Sequence, residues 1–256
     1  RQRSAHSHAR NSNVDWLAHT NYVVRHLRAR YMHATTAREI HSRHDAKNSQ
    51  TPRKLVTQMT KTLVIYVHPV EGSFNSAVRD AVVDYLSNHD HQVRLRDLYA
   101  ENFDPFLSAT ERALHHTPPT TRPELARDVE DLRWCEAIVF VYPTWWSGLP
   151  AMLKGWIDRT WMNEVAWVLP AGANTIRPRL TNIKRLVAVT THGSSKFVNA
   201  LQGEPGKRII SRSIRVMCNR WCRARWIALY GVDNSTLADR EKHLATIGQR
   251  VARALR

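Results

Sequence analysis

Three short stretches of this 256-residue chain carry side chains that could do chemistry, and each follows an apolar run. The first, after the run at 63–67, holds His68 and then Gly72, Ser73, Phe74 and Asn75. A polar turn with Gly and Ser that opens a helix offers backbone N–H groups to a phosphate. It lacks the Gly-Lys-Ser/Thr ending of a triphosphate loop and the G-x-G-x-x-G spacing, so by itself it equally suits an ordinary turn and cap. The second, after the run at 138–142, is Pro143-Thr144-Trp145-Trp146-Ser147-Gly148, where two adjacent indoles offer flat apolar surface. The third, after the run at 186–189, is Thr190-Thr191-His192-Gly193-Ser194-Ser195. It combines hydroxyls, a titratable imidazole and a glycine that lets the backbone approach a ligand closely.

The elements that must position these loops can be read from hydrophobic periodicity. Residues 63–67, 138–142 and 186–189 are continuous β-branched or aromatic runs, which suit strands buried on both faces. Residues 93–98 alternate Val93 and Leu95 with Arg94 and Arg96, as an outer strand does, and 226–232 reads as a last strand. Pro143, without an N–H for the ladder, is expected to end its strand. Helices are expected over 76–86, 124–134, 206–223 and 237–255, and after Pro150, which suits a first helical position. The alternation β-α-β-α-β-α-β-α-β predicts an α/β fold, a doubly wound five-stranded parallel sheet of flavodoxin type with strand order 2-1-3-4-5. In such a sheet the loops after strands one, three and four meet at the carboxyl edge, where ligands bind. A phosphate-friendly turn, an aromatic loop and a Thr/His/Gly loop there describe a flavin half-site.

Composition sets bounds. Lys and Arg number 38 against 22 Asp and Glu, a formal net charge of +16. Residues 1–58 hold 11 Lys/Arg and 3 Asp/Glu, a net +8 in under a quarter of the length. That segment is poor in apolar residues and is read as a basic N-terminal extension, disordered, before a domain at 59–256 that opens at Met59. A nucleic-acid arm is the competing reading, but the segment lacks the interleaved aromatics that stack bases, and no nucleic-acid partner is expected. Cys135, Cys218 and Cys222 make no disulfide framework, and no metal spacing accompanies them; Cys218 and Cys222 are read as buried thiols on one helix face. No apolar run is long enough for a membrane span and no signal-peptide pattern opens the sequence, so a cytoplasmic location is expected.

Motifs in order along residues 61–232 resemble the NAD(P)H quinone dehydrogenase (DT-diaphorase) family and its bacterial flavodoxin-like relatives. They are His68 with Ser73-Phe74-Asn75; Asp97-Leu98-Tyr99 with Asn102-Phe103-Asp104-Pro105; Tyr142-Pro143 through Trp146 with Pro150-Ala151 and Leu153-Lys154-Gly155-Trp156; and Thr190-Thr191-His192-Gly193 with Leu201-Gln202-Gly203. The resemblance implies a flavin, FAD or FMN, with NAD(P)H as co-substrate and a quinone or similar small molecule as acceptor, in a homodimer. It implies that His68, Ser73, Phe74 and Asn75 hold the phosphate side. Pro143, Thr144, Trp145, Trp146 and Ser147 line the ring, and Thr190, Thr191, His192 and Gly193 meet its pyrimidine end. The mammalian members carry a Tyr and a His near the Leu-Gln-Gly for proton handling, where this chain has Asn199 and Glu204-Pro205. His192 stands in place of a family glycine and is the candidate catalytic proton donor. Some relatives are ancillary proteins of potassium-efflux systems, so the rival reading is a regulator with a peripheral membrane-protein partner.

Overall fold

The computed structural model describes residues 59–117 and 122–256. The expected extension at 1–58 lies outside them. The described chain falls into a main body, residues 59–69 with 78–256, and the short segment Val70–Ala77, which is treated by itself.

The body is built on five parallel strands, β1 (Thr60–Tyr66), β2 (His91–Asp97), β3 (Ala137–Pro143), β6 (Arg185–His192) and β7 (Arg223–Tyr230). Their order is β2-β1-β3-β6-β7, the 2-1-3-4-5 arrangement expected for five main strands. A separate antiparallel pair, β4 (Trp167–Val168) and β5 (Arg177–Pro178), forms the excursion after the central helix. Every residue of β3, and all of β6 beyond Arg185, is buried, as strands covered on both faces must be.

Side-chain alternation divides the covering helices between the two faces. Leu63, Ile65, Ile138, Phe140, Leu186 and Ala188 share one core cluster with residues of α3 (Ala126–Trp134) and α4 (Ala151–Thr160). The alternate residues Val64, Val139, Val141 and Val187 are equally buried outside that cluster, as are Val82 and Leu86 of α1 (Phe74–Ser87) and Ile247 and Val251 of α7 (Leu237–Leu255). The α1–α7 packing is close: a Cβ on Gly248 would stand 2.3 Å from Cβ of Tyr85.

Three expectations need correction. The fourth main strand does not stop at Val189 but runs on through Thr190, Thr191 and His192, each hydrogen-bonded in register to β7. Threonine is a good strand residue, and polarity alone misread it as loop. Pro143 ends β3 as expected, opposite Thr191, and Thr144 N–H beyond it donates to Thr191 O at 2.8 Å. The helix expected over 206–223 is a four-residue α6 (Pro205–Arg208), a wide turn at Ile209–Ile214 and a 3-10 turn at Arg215–Met217. Cys218 is therefore extended and pairs with Leu180 in an isolated bridge. Cys218 and Cys222 share no helix face, although both thiols are buried and free.

Candidate active site

Parallel strands deliver all their following loops to one edge, so β1, β3, β6 and β7 present residues 68, 144, 193 and 231 onward side by side. The β3 loop turns sharply. Trp146 and Ser147 both take left-handed backbone, with φ of 49° and 61°, and Gly148 N–H donates to Trp145 O at 3.0 Å. Bulky residues adopt that conformation only where surrounding structure imposes it. The consequence is exposure: Trp145 is partly exposed and Trp146 is fully so, while Tyr142 just before them is completely buried. The Trp145 indole also faces the His68 ring, 6.3 Å away.

Beneath this aromatic loop lies a polar floor. Thr144 Oγ1 is 2.8 Å from Thr190 Oγ1 and 3.3 Å from His192 Nε2. His192 is buried, bonded through Nδ1 to Asn199 Oδ1 at 2.7 Å, and stacked on Tyr230 with ring centroids 4.6 Å apart. Burial pulls the imidazole below its ordinary range, against the opposing pull of the Asn199 bond and the Glu204 charge. Glu204 itself adopts left-handed backbone at φ 46° and accepts from Tyr230 Oη at 3.2 Å and from Lys207 Nζ at 2.6 Å. The lysine contact, with burial opposing, holds its carboxyl below the usual range. A Cβ on Gly193 would lie 2.4 Å from Asp233 Oδ2, so a side chain there would have to displace that carboxylate.

The β3 and β6 loops are tied together. Ser147 Oγ donates to Gln202 Oε1 at 2.5 Å, and Gly206 N–H reaches Ser147 O at 3.4 Å. Close by in sequence, Phe197 and Leu201 of α5 (Lys196–Leu201) are exposed. The segment Val70–Ala77 contains Ser73, Phe74 and Asn75, all buried. Within it Ser76 N–H donates to Ser73 Oγ at 3.2 Å and Ser76 Oγ donates to Ser73 O at 2.6 Å, a reciprocal cap at the helix start.

Thus Thr144, Thr190 and His192 form one hydrogen-bonded cluster, and Trp145 joins His68. Asn199 and Glu204, which the sequence reading set in the neighbourhood of the family's Tyr and His without giving them a role, stand beside His192, as does Tyr230, which it did not name. Tyr230 could have been found, because it ends the strand next to β6 in the expected order. The Asn199 contact depends on where α5 turns back, which periodicity does not reveal. Among the described residues no group of three or more His, Cys, Asp or Glu is placed to hold a metal ion, and no helix is long and apolar enough to cross a membrane.

A five-stranded doubly wound sheet with an aromatic loop and a hydroxyl-imidazole cluster at its carboxyl edge defines the class, and the chain belongs to the flavodoxin-like fold family, whose model matches residues 60–255. Among curated relatives it is 27% identical over 164 residues to NAD(P)H dehydrogenase [quinone] 1 of Cavia porcellus, covering 58% of this chain and 58% of that protein. It is 30% identical over 159 residues to ribosyldihydronicotinamide dehydrogenase [quinone] of Homo sapiens, covering 54% of this chain and 65% of the relative. The chain thus spans about three-fifths of the length of the curated relatives it matches. The solved NAD(P)H:quinone oxidoreductase of Methanothermobacter marburgensis shares the fold, with TM-score 0.63 and 24% identity over 74% of this chain and 97% of that one. The resemblance read from the ordered motifs is borne out.

Proposed function

We propose that this chain is a flavin-dependent oxidoreductase that takes a hydride from NAD(P)H and passes it to a quinone or similar small acceptor. The observation that carries this reading is the pairing of an exposed, backbone-strained Trp145–Trp146 loop with the Thr144–Thr190–His192 cluster under it. The residues fit such a group: a flat ring system needs an apolar cover and a polar edge, and both stand at the carboxyl edge of β3 and β6. Flavin supplies the ring nitrogen that receives and releases the hydride. The protein's part is binding, orientation and placement of donors where charge develops. Trp145 and Trp146 cover the ring, Pro143, Thr144 and Ser147 line it, and Thr190, Thr191, His192 and Gly193 serve its polar end. For the phosphate side, His68, Ser73, Phe74 and Asn75 are carried over from the family motif.

The working form is proposed to be a homodimer. Fully exposed Trp146 and strongly exposed Phe197 and Leu201 are more apolar surface than a solvated loop region needs, and such surface usually meets a partner. Light scattering at micromolar concentration should give twice the chain mass, and a monomer mass argues against it. The function is tested by titrating FMN and FAD into purified protein. The expected result is a yellow complex that bleaches with NADH or NADPH and recolours with a quinone. Uptake of neither flavin overturns the reading.

A further inference from the structure

Asn199 is the group through which the imidazole of His192 is oriented, and the hydrogen-bond network fixes its sense. The Asn199 Nδ2 donates to Ser195 O at 2.8 Å, to Ser194 Oγ at 2.9 Å and, more weakly, to Ser194 O at 3.4 Å. Turning the amide over would set its oxygen against those two carbonyl oxygens. Asn199 Oδ1 therefore faces His192 Nδ1, and at 2.7 Å an oxygen that can only accept requires a proton on Nδ1. A neutral imidazole holds one N–H, so Nε2 is left as an acceptor, and its neighbour is the Thr144 hydroxyl. If Thr144 donates to Nε2, its oxygen is free to accept from Thr190 Oγ1. This is the one arrangement that satisfies both contacts, and it points both hydroxyl protons toward His192.

We propose that Asn199 is a positioning residue that locks His192 as the Nδ1–H tautomer, so that the Thr190–Thr144–His192 chain presents only acceptor oxygens to a bound ring. The inference rests on the flavin reading for its ligand but not for its geometry. With His192 neutral, Thr144 and Thr190 suit a ligand N–H, such as a ring imide. When Nε2 takes a proton from solvent it can only donate; Thr144 must then accept from it and donate to Thr190 Oγ1, which turns the Thr190 proton outward toward an acceptor atom. One proton at a buried imidazole thus reverses the polarity of two hydroxyls. The buried surroundings favour the neutral form. The groups facing His192 are Asn199 on α5, Thr144 on the β3 loop, Glu204 with its Lys207 partner, Tyr230 and Trp226 on β7, and Asp233 beside Gly193. Of these the Asn199 bond and the Glu204 charge pull toward the protonated form.

Nitrogen NMR of histidine-labelled protein without flavin tests this, with the His192 signals assigned by their loss in His192→Gln. The expected spectrum shows a protonated Nδ1 and an unprotonated Nε2 at neutral pH; an Nε2–H tautomer overturns the proposal. Asn199→Leu should release the lock and mix the tautomers, a change that a purely structural role would not produce. Asn199→Asp should raise the His192 titration midpoint by about one unit or more, because a carboxylate then faces Nδ1. An unchanged tautomer and midpoint in both variants overturns the proposal. If Asn199→Leu does not fold, the wild-type spectrum and the aspartate variant still decide. All these measurements precede flavin addition, so failure to bind flavin refutes the function while the tautomer result stands or falls separately.

Discussion

Arg96 stands on the edge strand β2 in an alternating pattern that would ordinarily turn charge to solvent, yet it is buried. Its register explains this. Arg94 and Arg96 lie opposite Leu63 and Ile65, on the face covered by α3, and α3 together with the turn after β2 supplies the counter-charges. Arg96 Nη1 donates to Asp128 Oδ1 at 2.9 Å, and Nε donates to Glu101 Oε2 at 2.7 Å. The same Asp128 oxygen accepts from Trp156 Nε1 at 2.7 Å. Burial pushes the Asp128 carboxyl up from its ordinary value, and these donors hold it back. Arg96→Met removes the cation while leaving the carboxylates under the helix, so it should cost about 3–5 kcal/mol in a denaturant titration. A loss under 1 kcal/mol would show that the acids relax to water. The alternation was readable in the sequence; the roof of acids on α3 was not, since nothing local in either element names its partner.

The β3 loop and α4 illustrate what an element imposes on single residues. Trp146 is held in left-handed backbone at a site where its side chain touches solvent, so contacts of its indole do not explain the strain. Trp146→Gly should be more stable than Trp146→Ala by up to about 1 kcal/mol, because only glycine takes positive φ without penalty. Both variants should bind flavin more weakly and alter acceptor range if the indole covers the ring. Equal melting temperatures for the two would remove the backbone argument. In α4 the reverse holds. A Cβ on Gly155 would come within 2.2 Å of Pro105 O and 2.7 Å of its Cα, both backbone atoms. Gly155→Ala should therefore destabilise by about 1–3 kcal/mol or more by overpacking, although alanine is the better helix former by roughly 1 kcal/mol. Chemical denaturation of the variant decides which term wins. The main strands and the closing helix were legible because their periodicity is strong. The boundary at Thr190 and the broken segment after Gly206 were not, since tertiary pairing overrode local polarity in one and a run of helix-compatible residues hid the turns in the other.

For the whole molecule, acid is the revealing variable. His243 sits buried in α7, and burial, with Arg250 adding to it, lowers its pKa to about 4. The folded state therefore resists a proton that the unfolded chain accepts below its ordinary value near 6.5. Stability is undiminished by this group above about pH 6.5, falls as pH drops, and stops falling below about 4, with a total near 3 kcal/mol. His91, His115 and His192 are shifted the same way, each chiefly by burial, and steepen the decline. His243→Gln should flatten the curve of melting temperature against pH between 6.5 and 4. An unchanged slope would mean that the ring reaches water. The strand order was readable at this scale because buried parallel runs separated by helices admit few arrangements.

The strand order also decides when the sheet can be completed. β1 lies between β2 and β3, so those three strands can pair once residue 143 exists, but β6 waits for residue 192 and β7 for residue 230. Until β7 arrives, β6 offers a bare rim of unpaired backbone groups around the apolar run Leu186–Val189, the kind of template on which chains stick to one another. A ribosome adds roughly 5–20 residues per second, so the nascent chain carries that rim for seconds. The vulnerable interval thus runs from the completion of β6 to the arrival of β7, and a chain cut short before Arg223 should be found in inclusion bodies rather than as a smaller folded product.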